Sequence, residues 1–189
     1  MVRIRPGVQA AVQQDESRSP PTVSRANVLT PRNPSSKIRS WDDAREWRAS
    51  VAGRAVFTNG VFDLLHPGHV DVLTAARARG DALIVGINSD ASVKRLKGPT
   101  RPVRNEMERA FVIAALEAVD CVVLFEQDTP LELVLELKPD VIVKGGDYTQ
   151  STIVGAREVT AWGGEVVVIP LTAGQSTTSI IEKLSDSKD

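Results

Sequence analysis

The stretch that decides the fold runs from Ala55 to Gly80 and reads AVFTNGVFDLLHPGHVDVLTAARARG. An apolar, β-branched run is followed by a glycine-containing loop and then by a segment with helical periodicity. This succession predicts a strand, a loop at the carboxyl end of that strand and a crossover helix. Gly60 and Gly68 permit close backbone approach, and the helix that begins near His69 presents free amide groups to an anion. The loop is therefore a candidate ligand site.

The same alternation of short apolar runs and helical segments continues along the chain. Five strands are predicted, for the runs AVFTN, ALIVGIN, CVVLF, VIVKG and EVVVIP, and helices separate them. These runs are almost continuously apolar, which is typical of parallel strands that helices cover on both faces. The sequence therefore predicts an α/β fold, with a Rossmann-like, open, parallel five-stranded sheet and helices on both faces.

Residues 1–37 differ in composition from the rest of the chain. They are rich in Gln, Ser, Arg, Asn and Pro and show no sustained helical or strand periodicity. Because such a segment has too little apolar content to join a core, we expect a disordered polar tail over 1–37 and one domain over 38–189. Order is expected to begin near Ser40, where SWDD offers a capping serine with an acid three residues later.

The overall composition argues against several classes of partner. Lysine and arginine number 23 against 24 for aspartate and glutamate, a balance that gives no reason to expect a nucleic-acid or membrane-surface partner. Cys121 is the only cysteine, so neither an intrachain disulfide nor a thiolate-rich metal site can form. No run approaches the ~20 apolar residues of a membrane span, and the charged N-terminus is unlike a signal peptide. We therefore expect a cytoplasmic protein.

His66 and His69 are the only histidines of the chain. They lie at the predicted start of the crossover helix, at the carboxyl end of the first strand, where open α/β sheets bind ligands. Ordinary loop or capping histidines are one interpretation of an isolated H-x-x-H pattern. A zinc site is a second interpretation, but the cysteine, third histidine or well-spaced acid that would complete a coordination shell is lacking. We therefore assign no metal ligand.

Three further segments lie at predicted strand ends or helix starts on the same edge of the sheet. NSD at 88–90 follows the second strand and leads into RLKGPTRPV at 95–103. VKGGDY at 143–148 ends the fourth strand, and GQSTT at 174–178 precedes the last predicted helix. Because folding would gather these segments around one crevice, we expect them to form a single site with the histidine loop.

The loop TNGVFDLLHPGH at 58–69 resembles the signature of the HxGH, or cytidylyltransferase-like, nucleotidyltransferases. That family includes the cytidylyltransferases of glycerol phosphate and choline phosphate and the adenylyltransferases of pantetheine phosphate and heptose phosphate. With RLKGPTRPV, VKGGDY and GQSTT, the chain is most similar to the adenylyltransferases of bacterial heptose biosynthesis, over about residues 56–184. The resemblance implies transfer of AMP from ATP to a heptose 1-phosphate, giving ADP-heptose for lipopolysaccharide, and pyrophosphate.

The resemblance also implies roles for individual residues. His66 and His69 would contact the triphosphate and stabilise charge on the α-phosphate, and Lys97 would bridge the nucleotide and acceptor phosphates. The implied nucleotide-binding residues are Thr58, Asn59, Gly60, Phe62, Asp63, Arg109, Lys144, Gly145, Gly146, Asp147, Ser176, Thr177 and Thr178.

Several of these assignments have a purely structural alternative. Phe62 equally fits core packing, Asp63 fits a loop cap, and Lys97 fits a solvated helix surface. Arg109 could pair with a glutamate on its own helix. The serine and threonines at 176–178 also fit a helix cap, whose amides could hold a phosphate at the same time.

Two alternative functions stay open at this point. A cytidylyltransferase acting on glycerol 3-phosphate or a similar polyol phosphate would share the phosphate machinery, because base choice depends on backbone geometry near 144–148. A non-catalytic nucleotide-binding sensor would not need intact His66, His69 and Lys97. The resemblance further implies ATP and a sugar 1-phosphate as partners, Mg²⁺ as counter-ion of the triphosphate, and a homodimer.

Overall fold

The structure, a computed structural model, describes residues 32–170, and its centre is a six-stranded parallel sheet. Helices and strands alternate along the chain, except that α3 and α4 both lie between β3 and β4. The strands are β1 Ile38–Arg39, β2 Ala55–Gly60, β3 Ala82–Asn88, β4 Cys121–Phe125, β5 Val141–Gly145 and β6 Glu165–Ile169. The helices are α1 Trp41–Ser50, α2 Pro67–Arg77, α3 Asp90–Lys97, α4 Glu106–Ala114, α5 Leu131–Leu137 and α6 Ala156–Ala161, with short 3-10 helices at Pro34–Lys37 and Gln150–Thr152.

The number of strands differs from the sequence-based expectation of five. The additional strand is β1, in which Ile38 pairs in parallel with Val122 and Arg39 with Val123 of β4. A strand of two residues carries no periodicity or apolar run that a sequence pattern could reveal, and it exists because β4 offers it a free edge. The prediction of an α/β fold with a parallel sheet flanked by helices is confirmed.

The order of the strands creates a crevice beside β2. The sheet runs β1-β4-β3-β2-β5-β6, so the chain moves from β2 to β3 and β4 in one direction and then returns to place β5 on the other side of β2. The carboxyl ends of β2 and β5 therefore border a topological switch point, the position at which open α/β sheets bind ligands.

The sheet is buried on both faces, as its continuous apolar runs indicate. Every residue of β3 is buried. Leu83, Val85 and Ile87 join one core cluster, whereas Ile84 joins the other, because successive side chains of a strand point to opposite faces. This double burial holds the strand ends rigidly, which is what a site built on those ends requires.

Short polar side chains set the starts of three helices. The side chain of Ser40 accepts a hydrogen bond from the amide of Asp43, as the SWDD pattern predicts. Ser89 caps α3 and Asn105 caps α4 in the same way. These caps satisfy amides that have no partner inside the helix, and the caps of α3 and α4 lie near the predicted site.

The segment before β1 packs on the domain although it falls in the range predicted as tail. The 3-10 helix Pro34–Lys37 is capped by Asn33, and Lys37 Nζ donates to the carbonyl oxygen of Leu116 at 3.1 Å. Residues 1–31 and 171–189, which include the rest of the predicted tail, the GQSTT segment and the last predicted helix, lie outside the described residues.

Two truncated chains would locate the start of the stable domain. Removal of residues 1–39 takes away β1 and the Lys37 hydrogen bond, and we expect it to lower the free energy of unfolding by about 1–3 kcal/mol. Removal of residues 1–31, the matched control, leaves these contacts intact and should change that free energy by less than about 0.5 kcal/mol. Urea unfolding measures both, and equal stability of the two truncated chains would contradict a contribution from β1.

Candidate functional site

Three of the four predicted site segments meet at the carboxyl edge of the sheet. Residues 61–63 follow β2, residues 88–90 link β3 to α3, and residues 144–147 end β5. Hydrogen bonds from Arg109, Arg101 and Lys144 connect these segments to one another or to the loop before α4. The fourth segment, at 174–178, lies outside the described residues.

The two histidines form a stacked pair at the start of α2. His66 is the N-cap residue of α2 but makes no side-chain cap, while the amide of His69 donates to the carbonyl oxygen of His66 at 2.9 Å. The imidazole centroids lie 3.8 Å apart with an interplanar angle of 25°. The loop-cap interpretation is therefore not supported for these side chains, which are instead grouped at a helix N-terminus that favours anions.

The geometry keeps both imidazoles neutral near pH 7. Burial lowers the pKa of His69 to about 4, with a further contribution from His66, and burial also lowers the pKa of His66. The Nδ1 atoms of both rings are buried and have no hydrogen-bond partner within residues 32–170. A neutral imidazole carries one N–H donor and one acceptor nitrogen, so the pair offers hydrogen bonds to a phosphate rather than positive charge.

Phe62 connects the end of β2 to the histidine pair. Its backbone has a φ of +50°, which is uncommon for a bulky residue, and its ring makes an edge contact with His69 at 5.1 Å between centroids. The ring lies so close to Gly60 that a Cβ there would be 3.1 Å from the Phe62 ring. Phe62 also packs against the core, so its ring connects the imidazole of His69 to the core.

Asp63 faces the loop before α4. The residue is 2% exposed, and its carboxylate accepts hydrogen bonds from Arg101 Nε at 2.6 Å and from the amides of Val103 and Arg104 at 2.8 and 3.1 Å. Both carboxylate oxygens are engaged by protein donors. Asp63 thus positions the loop at 101–104, and this geometry does not support the direct nucleotide contact that the resemblance implies.

Arg109 is also turned toward the protein. Its guanidinium donates to the carbonyl oxygens of Val61 at 2.6 Å, Asn88 at 2.8 Å and Arg104 at 3.1 Å, and to the carboxylate of Asp90 at 2.7 Å. The residue is 1% exposed. Its ion pair is with Asp90 of α3, not with a glutamate on α4. We therefore assign Arg109 a positioning role, because four of its five N–H donors bind protein oxygens and the residue is almost fully buried.

Lys97 has the opposite environment. It is the last residue of α3 and is exposed, and its side chain makes no hydrogen bond or ion pair within residues 32–170. α3 itself is fixed by Arg95, which pairs with Asp128 and donates to the carbonyl oxygen of Glu126. The ammonium group of Lys97 is therefore a free cation on an anchored helix at the same edge of the sheet.

Lys144 lies across the switch point from the histidine loop. Its Nζ donates to the backbone and side-chain oxygens of Asn59, and burial lowers its pKa to about 8. Gly146 has a φ of +131°, a conformation that favours glycine. Its amide donates a hydrogen bond to the carbonyl oxygen of Ile169. Asp147 is exposed in the loop that follows.

The remaining predicted residues have unequal access to a ligand. Thr58 is 3% exposed within β2, so it supports the strand rather than lining an open surface. Asn59, Gly60 and Gly145 are half-buried at the strand ends. Ser176, Thr177 and Thr178 lie outside the described residues.

Surface cavities adjoin the histidine loop. One of about 400 Å³ is lined by Leu65, His66 and Val70, among others. Another, of about 480 Å³, is lined by residues that include Phe62, Arg104 and Arg109. A larger depression of about 700 Å³ lies along α6 and shares no residue with the predicted site. We place the site by its chemistry, because volume alone does not identify a binding site.

Carboxylates are not clustered for metal binding in the described residues. No group of three or more His, Cys, Asp or Glu side chains that could hold a metal ion occurs within residues 32–170. Asp63, which lies in the histidine loop, and Asp90, the first residue of α3, are each paired with an arginine.

A comparison with known families identifies the chain. The model of the cytidylyltransferase-like family matches residues 57–183, more than half of the 189 residues. The chain belongs to the cytidylyltransferase-like family. The matched range contains the histidine loop and all three segments that meet at the carboxyl edge of the sheet.

Individual cytidylyltransferase-like relatives are similar over most of this chain. It is 61% identical over 143 residues to the bifunctional protein HldE of Rhodopseudomonas palustris BisA53, which covers 76% of this chain and 29% of that protein. It is 48% identical over 187 residues to the bifunctional protein HldE of Trichlorobacter lovleyi, and this match covers 97% of this chain and 38% of that protein. The chain thus spans less than half the length of these relatives.

A solved structure supports the same fold. A lipopolysaccharide core biosynthesis protein from Thermoplasma volcanium GSS1 superposes with a TM-score of 0.53 at 28% identity, covering 64% of this chain and 98% of that one. Within residues 32–170, no helix is both long and apolar enough to cross a membrane.

Sequence reasoning missed the partners that hold this cytidylyltransferase-like site together. Asp90 was noted in a motif but not as the ion-pair partner of Arg109, and Arg101 was not paired with Asp63. The sequence did contain one signal, the position of Asp90 at the start of a helix, because an acid there often interacts favourably with the helix dipole or with a nearby cation. The partners themselves are distant in sequence and could not be chosen without the fold.

Substitution of Arg109 by alanine tests the positioning role. The change leaves the carboxylate of Asp90 and three carbonyl groups, of which that of Asn88 is buried, without this donor, so we expect the free energy of unfolding to fall by roughly 3 kcal/mol. Arg104→Ala is the matched control, because the side chain of Arg104 is 58% exposed and its ion pair with Glu108 is long, at 3.8 Å. This substitution should change the free energy of unfolding by no more than about 0.5 kcal/mol. Chemical unfolding measures both. Unchanged stability of Arg109→Ala with weakened nucleotide binding would instead make Arg109 a direct ligand.

Proposed function

We propose that the chain is a nucleotidyltransferase that transfers AMP from ATP to a heptose 1-phosphate and releases pyrophosphate. The observation that carries this proposal is the stacked, neutral histidine pair at the N-terminus of α2, beside the switch point of the sheet. The similarity to HldE proteins supports the choice of sugar phosphate, and the match to the cytidylyltransferase-like family supports the reaction type. Nothing in these comparisons favours the polyol-phosphate cytidylyltransferase or the non-catalytic sensor.

The proposed reaction needs no protein nucleophile. An oxygen of the sugar 1-phosphate, already ionised at neutral pH, attacks the α-phosphorus of ATP, and a new P–O bond forms. The bond from the α-phosphorus to the bridging oxygen breaks, and pyrophosphate leaves with that oxygen. A general base is likewise unnecessary, so catalysis depends on positioning and on stabilising negative charge in the transition state.

Among the described residues, some would stabilise the phosphates by hydrogen bonds from neutral groups and others by positive charge. His66 and His69 would donate hydrogen bonds to the triphosphate without adding charge, together with the free amides of α2. Lys97 would bridge the nucleotide and acceptor phosphates from the end of α3. The backbone from Gly145 to Asp147 would lie against the base and ribose.

We propose that Mg²⁺ enters with ATP. Mg²⁺ is commonly held by the phosphates of the nucleotide with few protein ligands. When bound, Mg²⁺ would neutralise part of the triphosphate charge.

We further propose that the protein works in the cytoplasm as a homodimer. The free, buried thiol of Cys121 fits a reducing compartment. Met107 and Phe111, one turn apart on α4, are 53% and 47% exposed, and a second copy could cover them.

A crossed substrate screen tests the proposed reaction. Pyrophosphate release should be fastest with ATP and a heptose 1-phosphate, and should require Mg²⁺. CTP and GTP replace ATP in parallel reactions, and glycerol 3-phosphate replaces the sugar phosphate. A clear preference for CTP with glycerol 3-phosphate would refute the heptose assignment, and no release with any pair would favour the sensor.

Substitution of each histidine by alanine tests the catalytic pair. If the imidazoles stabilise charge that develops on the α-phosphate, turnover should fall by at least ~10²-fold, whereas nucleotide affinity should fall much less. Because the pKa of His69 is about 4, turnover of the unaltered enzyme should not drop between pH 8 and pH 6 through protonation of this residue. Steady-state kinetics and melting temperatures separate the interpretations. Near-normal turnover with a lower melting temperature would assign the pair to packing.

A further inference from the structure

The ammonium group of Lys144 occupies the switch point of the sheet. β5, which carries Lys144, and β2, which carries Asn59, are neighbours at the position where the strand order reverses. Lys144 Nζ donates to the backbone oxygen of Asn59 at 3.2 Å and also to its side-chain oxygen. The two strand ends are therefore bridged by a cation at the place where α/β sheets bind ligands.

This cation has no counter-ion among the described residues. Both of its acceptors belong to Asn59 and are neutral, and Lys144 forms no ion pair within residues 32–170. Its paired neighbour on β6 is the apolar Val168. Burial lowers the pKa of Lys144 to about 8. A desolvated ammonium without an opposite charge is unfavourable, and buried cations are normally paired.

Two arginines of the site follow that norm, whereas Lys144, which is half-buried, does not within residues 32–170. The side chain of Arg109 is fully buried and pairs with Asp90, and that of Arg101 is 19% exposed and pairs with Asp63. Lys144 differs from both in having only amide oxygens as partners. An ammonium group has three N–H donors, and Asn59 engages it on one side, so a donor and the full positive charge remain for an anion.

We propose that Lys144 is a phosphate-binding residue whose ammonium, held in place by Asn59, supplies the counter-charge for a substrate phosphate at the switch point. This inference rests on the proposed function, which brings a triphosphate and a sugar phosphate to this edge of the sheet. Asn59 is then a positioning residue. Without a phosphate the ammonium group has no counter-ion among residues 32–170, and binding of a phosphate supplies one.

Two substrate groups share the chemistry that Lys144 would recognise. One is the triphosphate of the nucleotide, and the other is the phosphate of the acceptor sugar. Inorganic tripolyphosphate probes the first and heptose 1-phosphate the second, so calorimetric titration with each compound distinguishes the two sources.

The test uses three variants of the full chain. Lys144→Met removes the charge but retains length, and Lys144→Arg retains the charge. Lys138→Met is the matched control, since Lys138 is exposed and precedes the opposite end of the same strand. At pH 7, Lys144→Met should weaken binding of at least one probe by about tenfold or more, which is the scale of a hydrogen bond to a charged group. Lys138→Met should bind both probes as the unaltered chain does.

Stability and pH supply readouts that a purely structural role would not produce. Lys144→Met should keep or raise the melting temperature without ligand, because it removes a partly desolvated charge that no residue of 32–170 pairs, whereas loss of a structural bridge would lower it. The probe affinity of the unaltered chain should decline relative to that of Lys144→Arg as pH rises above about 8, where the lysine loses its proton. The guanidinium of the variant stays charged throughout this range.

These binding results test the phosphate site independently of whether the chain catalyses the proposed transfer of AMP. Weaker binding of tripolyphosphate assigns Lys144 to the nucleotide side, and weaker binding of heptose 1-phosphate assigns it to the acceptor side. Unchanged affinity of Lys144→Met for both probes, or no binding of either probe by the unaltered chain, would overturn the proposal. Probe binding that depends on Lys144 in a chain that makes no ADP-heptose would refute the proposed function and leave the phosphate site standing.

Discussion

The buried guanidinium of Arg109 is the interaction on which the geometry of the site depends. From α4 it donates to the loop after β2, to the end of β3, to the first residue of α3 and to the loop before α4 itself. A guanidinium without solvent is stable only when its donors are paired, so these segments hold one another in place. The ion pair of Asp63 with Arg101 ties the same loop to the histidine segment from the other side. The chain at 61–66, which leads into the histidine pair, is thereby fixed by interactions that do not touch a ligand.

This arrangement separates the groups that build the site from those that are left to bind. Arg101 and Arg109 form ion pairs with Asp63 and Asp90. By contrast, the Nδ1 atoms of both imidazoles, the ammonium group of Lys97 and one donor of Lys144 have no hydrogen-bond partner within residues 32–170. Burial keeps the imidazoles uncharged, so positive charge at the site comes from the lysines. Such a division suits transfer of a phosphoryl-type group, in which rigid dipoles act close to the reacting atoms and mobile cations neutralise the substrate.

Local patterns anticipated much of the fold. The apolar runs located five of the six strands because each buried strand is read from its own residues, and Ser40 was recognised as a cap because its partner is three residues away. β1 was missed because its stability comes from the edge of β4. The 3-10 helix at Pro34–Lys37 was assigned to the tail for a similar reason, since its attachment to Leu116 lies far along the chain.

The sequence by itself determined the parallel α/β architecture, the position of the histidine loop at a strand end, and the resemblance to a nucleotidyltransferase family. Hydrophobic period, helix caps and motif spacing are local, so they can be read without a structure. Only the tertiary structure decided which polar residues face a ligand. Asp63 and Arg101 are 38 residues apart, Val61 and Arg109 are 48 apart, and Asn59 and Lys144 are 85 apart. Because partners at such separations are chosen by strand order and not by sequence pattern, Asp63 and Arg109 became supports of the site, and Lys144 became a cation whose hydrogen-bond partners within residues 32–170 are the neutral oxygens of Asn59.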